Sequence, residues 1–307
     1  MKRIILSHRT ALEAIREYRN DPENLRICQV VNNMKNNKTN PYKYKIDVMA
    51  RNKNNTRSSK KYKYHIAPYW LKDNNLINIG ENVFCVKPEI VITQLANELS
   101  FEKLFILMAE LCGKYSLDNI NSKFINPVES ITSIKKINRF LIKTKQIQRR
   151  YAGLNKASYV LKYCDNNSAS PMESRLYLKF CGPRKLGFYE IKNLKLNVPI
   201  KLNKSSQLIA NQKTITPDIS NEDYKIAIEY DSAQYHENTI QGQKDKRRRD
   251  ALVHEGWKVH TIVPSLINDP NSFHVIAKEI INELGQNSRI RNKDFYQRRN
   301  EMFNKLA

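Results

Sequence analysis

Three acidic residues in the second half of the sequence have types and spacing that suit metal-dependent chemistry. Asp218 follows a proline, and ten residues separate it from Glu229, with Asp231 two residues further on. Residues 225–231 are predicted to form a β-strand, on which alternate side chains share a face, so Glu229 and Asp231 point the same way. Converging carboxylates repel one another unless a cation neutralises them, and Mg²⁺ prefers carboxylate oxygens, water and substrate phosphate. The spacing therefore predicts a Mg²⁺ or Mn²⁺ site where bound water attacks a phosphodiester.

Each acid by itself also has an ordinary structural interpretation. Asp218 after Pro217 is typical of a turn, and Glu229 with Asp231 is compatible with a solvated strand face. The metal-site hypothesis is favoured because the three acids occur together in a strongly basic chain. At the level of sequence both interpretations stay open.

The net charge of the chain indicates a polyanionic partner. Its 307 residues include 53 Lys and Arg against 30 Asp and Glu, which gives a formal charge of +23. Nucleic acid is the commonest polyanion, and cations that neutralise its phosphates release counterions. A composition biased toward Lys and Asn explains the choice of basic residue but not the shortage of acids. We therefore predict a nucleic-acid partner, in particular double-stranded DNA.

The cysteines and the lengths of the apolar runs indicate in which cellular compartment the protein works. Five widely spaced cysteines without a Cys-x-x-Cys pair are typical of reduced, buried thiols. No apolar run reaches the ~18 residues that a membrane-spanning helix needs, and the first residues lack the apolar core of a signal peptide. These features predict a cytoplasmic protein that does not enter a membrane.

Composition predicts four parts along the chain. A polar stretch ending in Pro171 marks the main boundary, after which short strands and helices alternate. Residues 130–164 carry nine Lys or Arg and no acid, which predicts an amphipathic helix with a basic outer face. The predicted parts are a mainly helical, basic nucleic-acid-binding domain with a small β-hairpin (1–128), a basic connector helix (129–167), an α/β domain (168–285) and a basic tail that adds non-specific affinity (286–307).

The spacing of apolar residues predicts the individual elements. In the first half, helices are predicted at 7–19 with Ser7 as the cap, from Pro88 onward and at 101–112, and the hairpin at 76–86. In the α/β domain, helices are predicted at 171–180, 240–254 and 271–284, and strands at 194–202, 208–214, 224–231 and 257–263. The order of these elements predicts a sheet covered by helices.

The acidic strand resembles that of the PD-(D/E)XK nuclease superfamily. Pro217-Asp218, ten residues and Glu229-x-Asp231 match its pattern, and the closer similarity is to a bacterial branch related to very-short-patch mismatch-repair endonucleases. The resemblance covers residues 168–285 and implies a restriction-endonuclease-like mixed sheet flanked by helices. The further similar segments are Ser170-Pro171-Met172-Glu173-Ser174-Arg175-Leu176, His236 five residues after Asp231, and Asp245-x-x-Arg248-x-x-x-Leu252-x-x-x-Gly256-Trp257.

The first half has a resemblance of its own. Segments 6–12, 88–96 and 110–115 are similar to the amino-terminal part of abortive-infection antitoxins. This resemblance implies a winged-helix-like module that binds nucleic acid.

The nuclease resemblance implies a set of metal ligands. Asp218 and Glu229 hold the ion, and the carbonyl of Tyr230 is the third ligand. Glu173, from the first helix of the α/β domain, completes the site directly or through water. Glu173 also fits a capping box with Ser170, an interpretation that needs no metal.

The sequence departs from the superfamily at one catalytic position. Asp231 stands where the superfamily has a lysine that positions the water or stabilises charge on the phosphate. In the related mismatch endonucleases an aspartate and a histidine share this work, which implies a proton-transfer role for Asp231 and His236. His236 is also compatible with a loop histidine bonded to the backbone. The alternative sources of the missing positive charge are Lys225, Lys244 and Lys246.

A basic run on the second helix of the domain predicts phosphate contacts. Side chains on a helix fan around the axis, so only some of them meet one ligand, and Asp245 and Arg248 pair with each other or with the site. The predicted nucleic-acid-binding residues are Lys244, Lys246, Arg247, Arg248 and Arg249.

Together these features predict a metal-dependent DNA endonuclease or nickase in a defence or mobile-element context. The alternative is a DNA-binding, antitoxin-like regulator whose nuclease fold is inactive, which Asp231 in place of lysine favours. A third hypothesis is an RNA-directed toxin or defence effector. Cleavage of both strands favours a homodimer, because one site cuts one strand at a time.

Overall fold

The computed structural model describes residues 3–23, 25–35, 45–52, 59–117, 123–231, 240–287, 289–290 and 293–306. The chain divides into two compact units, Met1–Cys164 and Asp165–Ala307, and each contains sheets and helices. Parallel and antiparallel strand pairs occur in both units, which confirms the α/β class in its general form. In the part of the chain that the structure describes, no helix is long and apolar enough to cross a membrane.

The first unit is built on a five-stranded mixed sheet. The predicted hairpin at 76–86 is confirmed, because residues 76–80 and 83–86 form an antiparallel strand pair. The prediction of a mainly helical region with a small hairpin is incomplete, because three further strands join the hairpin from distant parts of the sequence. One of them has only three residues, too few for periodicity to reveal a strand. The strands are β1 (Ile4–Leu6), β2 (Ile46–Ala50), β3 (Tyr62–Ile66), β4 (Leu76–Gly80) and β5 (Val83–Val86), in the spatial order β3-β2-β1-β5-β4.

Six helices and a small strand pair complete the described part of the first unit. They are α1 (His8–Asn20), α2 (Arg26–Lys35), α3 (Pro88–Leu95), α4 (Phe101–Cys112), β6 (Ser116–Leu117), β7 (Phe124–Ile125), α5 (Ile134–Ile147) and α6 (Leu154–Leu161). Helices α1, α3 and α4 confirm the predictions. Ser7, however, does not cap α1 with its side chain, because its hydroxyl lies 3.1 Å from Nδ1 of His8. The predicted connector helix is two helices, α5 and α6, and both belong to the first unit.

The second unit contains a four-stranded mixed sheet and a two-stranded pair. The strands are β8 (Lys195–Leu196), β9 (Ile200–Lys201), β10 (Thr214–Ile215), β11 (Ile219–Asn221), β12 (Ile226–Tyr230) and β13 (Lys258–Ile262). The larger sheet has the order β13-β12-β11-β8, with β12 and β13 parallel and the other pairs antiparallel. Strands β9 and β10 form the smaller pair. The predicted strands at 224–231 and 257–263 are confirmed, while 194–202 forms two short strands.

Six α-helices accompany these strands in the described part of the second unit. They are α7 (Pro171–Cys181), α8 (Lys204–Ala210), α9 (Ile240–His254), α10 (Pro264–Asn268), α11 (Pro270–Glu283) and α12 (Phe295–Leu306). Helices α7, α9 and α11 confirm the predictions. The strand predicted at 208–214 is wrong, because α8 extends to Ala210, a turn follows, and only Thr214 belongs to a strand, β10. The Asn203 side chain accepts from the Ser206 N–H and starts this helix, and Asn211 ends it in the left-handed conformation.

Strand β12 is central and is covered on both faces. Ile226 and Ala227 point to opposite sides, and both are fully buried. Ala227 packs in a cluster with Leu252 of α9 and Trp257. Sequence alternation predicts that only one face of this strand is buried, whereas the structure buries both faces. Because α9 covers the second face, Glu229 at the end of the strand is only partly exposed.

The C-terminal segment, predicted as a basic tail, contains the packed helix α12. It buries Phe295, Met302 and Phe303, whose helical spacing places them on one face. Lys179 of α7 places its ammonium 3.8 Å from the centre of the Phe303 ring and donates to the Ile267 carbonyl over 2.6 Å. The helix is thus part of the core of the second unit.

Phe303→Ala is expected to destabilise the second unit by about 3–5 kcal/mol, because it removes a buried ring and leaves a cavity beside Lys179. Denaturant unfolding measures this loss. Lys305→Ala changes an exposed residue of the same helix and is the matched control, with an expected effect within about 0.5 kcal/mol. Equal stability of Phe303→Ala and the unmodified chain contradicts the packing of α12.

Candidate functional site

Asp218 and Glu229 lie beside each other on two neighbouring strands. Strand β11 pairs antiparallel with β12 so that Ile219 faces Ile228, and the same register sets Asp218 opposite Glu229. The Tyr230 N–H donates to Oδ2 of Asp218 over 2.7 Å, which extends the pairing and orients the carboxylate. A residue in an antiparallel pair turns its N–H and carbonyl to the same neighbour, so the Tyr230 carbonyl lies on the Asp218 side. The structure thus brings together the two predicted metal ligands and the predicted carbonyl.

Glu173 lies in the first turn of α7, and its carboxylate is held from two sides. Its Oε2 accepts from the Ala169 N–H over 2.8 Å and from the side-chain amide of Asn197 over 2.6 Å. The Ser170 hydroxyl caps α7 by accepting from the Glu173 N–H over 3.1 Å. The negative charge of Glu173 also raises the pKa of Asp218. Glu173 therefore stabilises the start of α7 and acts electrostatically on the candidate site.

Burial makes both acids of the pair costly to ionise. Desolvation and then the charge of Glu173 raise the pKa of Asp218 to about 6, although the Tyr230 N–H and Arg248 oppose the change. Desolvation also raises the pKa of Glu229, and Arg248 again opposes it. A divalent cation beside the pair reverses this balance, because it stabilises the ionised carboxylates.

The acidic pair has oxygen atoms to offer such a cation. Among the described residues, no donor bonds to Oδ1 of Asp218 or to Oε2 of Glu229, whereas their other oxygens meet Tyr230 and Arg248. Within the same ranges no group of three His, Cys, Asp or Glu side chains is placed to hold a metal ion. A hard cation at this pair would take its remaining oxygen ligands from the Tyr230 carbonyl, water and substrate phosphate, a set that Mg²⁺ commonly accepts. Binding of Mg²⁺ or Mn²⁺ at this pair stays a prediction.

Arg248 of α9 brings a positive charge to the acidic pair. Its Nη2 lies 3.4 Å from Oε1 of Glu229 and donates to the Thr216 carbonyl over 3.2 Å. Its Nη1 lies 3.8 Å from Asp245, three residues earlier on the helix. The sequence predicts that Arg248 contacts phosphate, or that it pairs with Asp245 or with the site, and the structure shows both of these pairings. The signal was its position four residues before the buried Leu252, on the inward face of the helix.

The other basic residues of α9 differ in exposure. Lys244, Lys246 and Arg247 are exposed and form no ion pair with the part of the chain described here. Arg249 is half-buried; it lowers the pKa of Glu229, and its buried Nε has no hydrogen-bond partner among the described residues. Phosphate binding by these four residues stays a prediction.

Three other predicted participants differ in placement: Lys225 lies at the far end of β12, Asp231 directly follows β12, and His236 is not among the described residues. Lys225 donates from Nζ to the Glu255 carbonyl over 2.8 Å, at the other end of β12, so it does not supply the missing charge. Asp231 follows β12, half-buried, and its N–H donates to the Ile262 carbonyl over 3.0 Å. His236 lies outside the described residues, and its role stays a prediction.

The geometry defines a half-buried acidic pair with a guanidinium beside it. Comparisons with family models, with curated proteins and with solved structures yield no match to this chain.

In chelator, the second unit is expected to lose stability as the pH rises through about 6. The folded Asp218 has a pKa of about 6 against an ordinary 3.8, so its contribution is complete below the lower value and is lost above the higher one. Asp218→Asn should remove a pH dependence of up to about 3 kcal/mol. Unfolding temperatures measured between pH 3.8 and about 6 test this expectation. Asp223→Asn changes an exposed acid and is the control, which should keep the pH dependence of the unmodified chain. An unchanged pH dependence in Asp218→Asn contradicts it.

Proposed function

We propose that the second unit is a PD-(D/E)XK-type nuclease domain that hydrolyses DNA phosphodiester bonds with Mg²⁺ or Mn²⁺, as an endonuclease or nickase. The observation that carries this proposal is the placement of Asp218 opposite Glu229, because the family resemblance implies metal ligands at these two positions. The formal charge of +23 supports a nucleic-acid substrate.

The arrangement of the second unit supports a restriction-endonuclease-like core. Strand β12 has antiparallel β11 on one side and parallel β13 on the other, and α9 connects β12 to β13. Helix α7 precedes the sheet and carries Glu173 in its first turn. The core therefore gathers acids from α7, β12 and the start of β11, as the resemblance implies.

Each residue of the site has a defined task in this proposal. A bound Mg²⁺ or Mn²⁺ supplies a water of lowered pKa and a positive charge on the scissile phosphate. Asp218 and Glu229 hold the ion, and the Tyr230 N–H keeps the Asp218 carboxylate in one orientation. Glu173, fixed by Asn197, orients water next to Asp218.

Arg248 takes the place of the superfamily's lysine. Asp231 cannot supply a positive charge, and the ammonium of Lys225 is engaged with the Glu255 carbonyl. The guanidinium of Arg248 contacts Glu229 from α9 and presents a planar set of donors that matches phosphate oxygens. In this position it stabilises the charge that develops on the phosphate during attack.

Conversion of supercoiled plasmid to the nicked form in Mg²⁺ or Mn²⁺, with chelator as control, tests the proposal. Metal-dependent nicking that is lost in Asp218→Asn supports it, and direct formation of linear plasmid indicates a homodimer. No cleavage of plasmid, single-stranded DNA or RNA contradicts it and favours the DNA-binding regulator, which Asp231 in place of lysine supports. Cleavage of RNA alone favours the RNA-directed effector.

A further inference from the structure

The first unit contains a large basic pocket that the nuclease proposal does not use. The cavity has a volume of about 1110 Å³ and lies where the end of α5 turns into α6. Known small-molecule pockets measure roughly 300–1,000 Å³, so this one accommodates a ligand longer than a single anion. Its lining includes Lys145, Arg149, Arg150, Tyr151, Gly153 and Lys156.

The charges of this pocket have one sign. Four of its lining residues are Lys or Arg, and none is acidic. Lys145, Arg149 and Arg150 are exposed and form no ion pair or hydrogen bond with the residues that the structure describes. Lys156 donates to the Leu99 carbonyl, which holds its ammonium at the wall. Cations gathered in a concavity without counter-charges attract a polyanion.

The backbone at the start of α6 adds to this positive potential. Gly153 adopts φ 84° as the residue before the helix, and no side chain caps it. A Cβ at this position would lie 1.9 Å from the Thr93 carbonyl oxygen, so only glycine permits the turn. The first turn of α6 contains no acidic residue, and the N–H groups of Asn155 and Lys156 have no acceptor within the described ranges. Free N–H groups at a helix start favour phosphate oxygens.

Aromatic residues hold the turn that carries the two arginines. The Tyr69 hydroxyl donates to the Ile147 carbonyl over 2.7 Å, and the Trp70 indole donates to the Gln148 side chain over 3.0 Å. The Trp70 ring also packs edge-on against Tyr151, with centres 5.2 Å apart. The backbone that carries Arg149 and Arg150 is therefore held in place before any ligand binds, which lowers part of the entropic cost of binding.

We propose that this pocket binds the phosphate backbone of nucleic acid, independently of base sequence. Unpaired cations and free helix amides recognise phosphate, while the cavity extends beyond one phosphate group. This binding is a property of the first unit and does not depend on the nuclease proposal.

Fluorescence anisotropy with a labelled DNA duplex, full-length protein and chelator tests the pocket without any cleavage. Arg149→Ala/Arg150→Ala should weaken binding at least tenfold at about 0.1 M salt and lower the slope of log Kd against log salt by ~1.8, since each lost phosphate contact contributes ~0.9. Both side chains are exposed and unbonded within the described residues, so folding should not change. A competing RNA duplex distinguishes the two sources of the backbone.

Arg139→Ala/Lys143→Ala is the matched control, because it removes two exposed charges of α5 that do not line the pocket. A smaller loss in this control supports the pocket. Equal losses in both pairs, or none in the pocket pair, overturn the proposal. Binding measured in chelator needs neither metal nor cleavage, so failure of the nuclease proposal and failure of the pocket give different results.

Discussion

Asp218→Asn is expected to reduce metal-dependent plasmid nicking by more than about 100-fold. Mutation of a residue that only supports a metal ligand typically lowers metal affinity or activity 10–100-fold, and loss of a ligand itself should cost more. The asparagine carbonyl still accepts from the Tyr230 N–H, so the end of β12 keeps its pairing. The substitution removes the negative charge that attracts the cation. It also removes repulsion from Glu173, so the unfolding temperature at neutral pH should stay equal or rise.

Initial nicking rates over a Mg²⁺ and a Mn²⁺ titration measure this effect. Asp223→Asn, an exposed acid in the turn between β11 and β12, is the control and should keep the rate of the unmodified chain. Glu229→Gln should lose a similar factor, and the double variant with Asp218→Asn should lose little more, since residues that act as a unit are not additive. A normal rate in Asp218→Asn contradicts the metal site. Loss of stability together with rate indicates a structural role instead.

Arg248→Ala is expected to lower the single-turnover rate by about 10²–10³-fold, in line with the removal of one donor that stabilises transition-state charge. The Coulombic effect of Arg248 lowers the pKa of both Asp218 and Glu229. Without it both acids ionise at higher pH, so the acid limb of the pH–rate profile should move upward. Arg248→Lys keeps the charge and should recover part of the rate.

Arg247→Ala gives the matched comparison, since Arg247 is the exposed neighbour of Arg248 on α9. It should weaken DNA binding and reduce its salt dependence while leaving the rate at saturating protein unchanged. Equal effects of the two variants on rate contradict a catalytic position for Arg248. Unfolding measurements check whether loss of the bond to the Thr216 carbonyl destabilises the fold.

The elements that the sequence predicts well have strong local signals. Helix α4 has Ser100 as its cap, and α7 has Ser170 followed by a proline, and both begin where the sequence places them. The hairpin of β4 and β5 has turn residues between two apolar strands, and it forms as predicted. In each case the residues that decide the structure are neighbours in the chain.

The elements that the sequence misses depend on distant partners. Strand β1 is a strand because β2 and β5 pair with it, and its three residues carry no periodic signal. The exposed apolar Leu208 suggests a strand, yet Asn203 and Asn211 define a helix around it. The sequence places Phe303 in a predicted basic tail, whereas in the structure its ring is buried beside Lys179.

The sequence by itself determined the α/β class, the strong positive charge and the acids that form the candidate site. The spacing and the family resemblance were enough to select Asp218 and Glu229 as candidate ligands, whereas strand β11, which sets Asp218 opposite Glu229, was not predicted. Only the tertiary structure decided which basic side chain lies beside these two carboxylates. Arg248 reaches Glu229 because the packing of Leu252 and Trp257 turns that face of α9 toward the sheet. Burial then raises the pKa of both acids, a property that depends on neighbours in space and not in sequence.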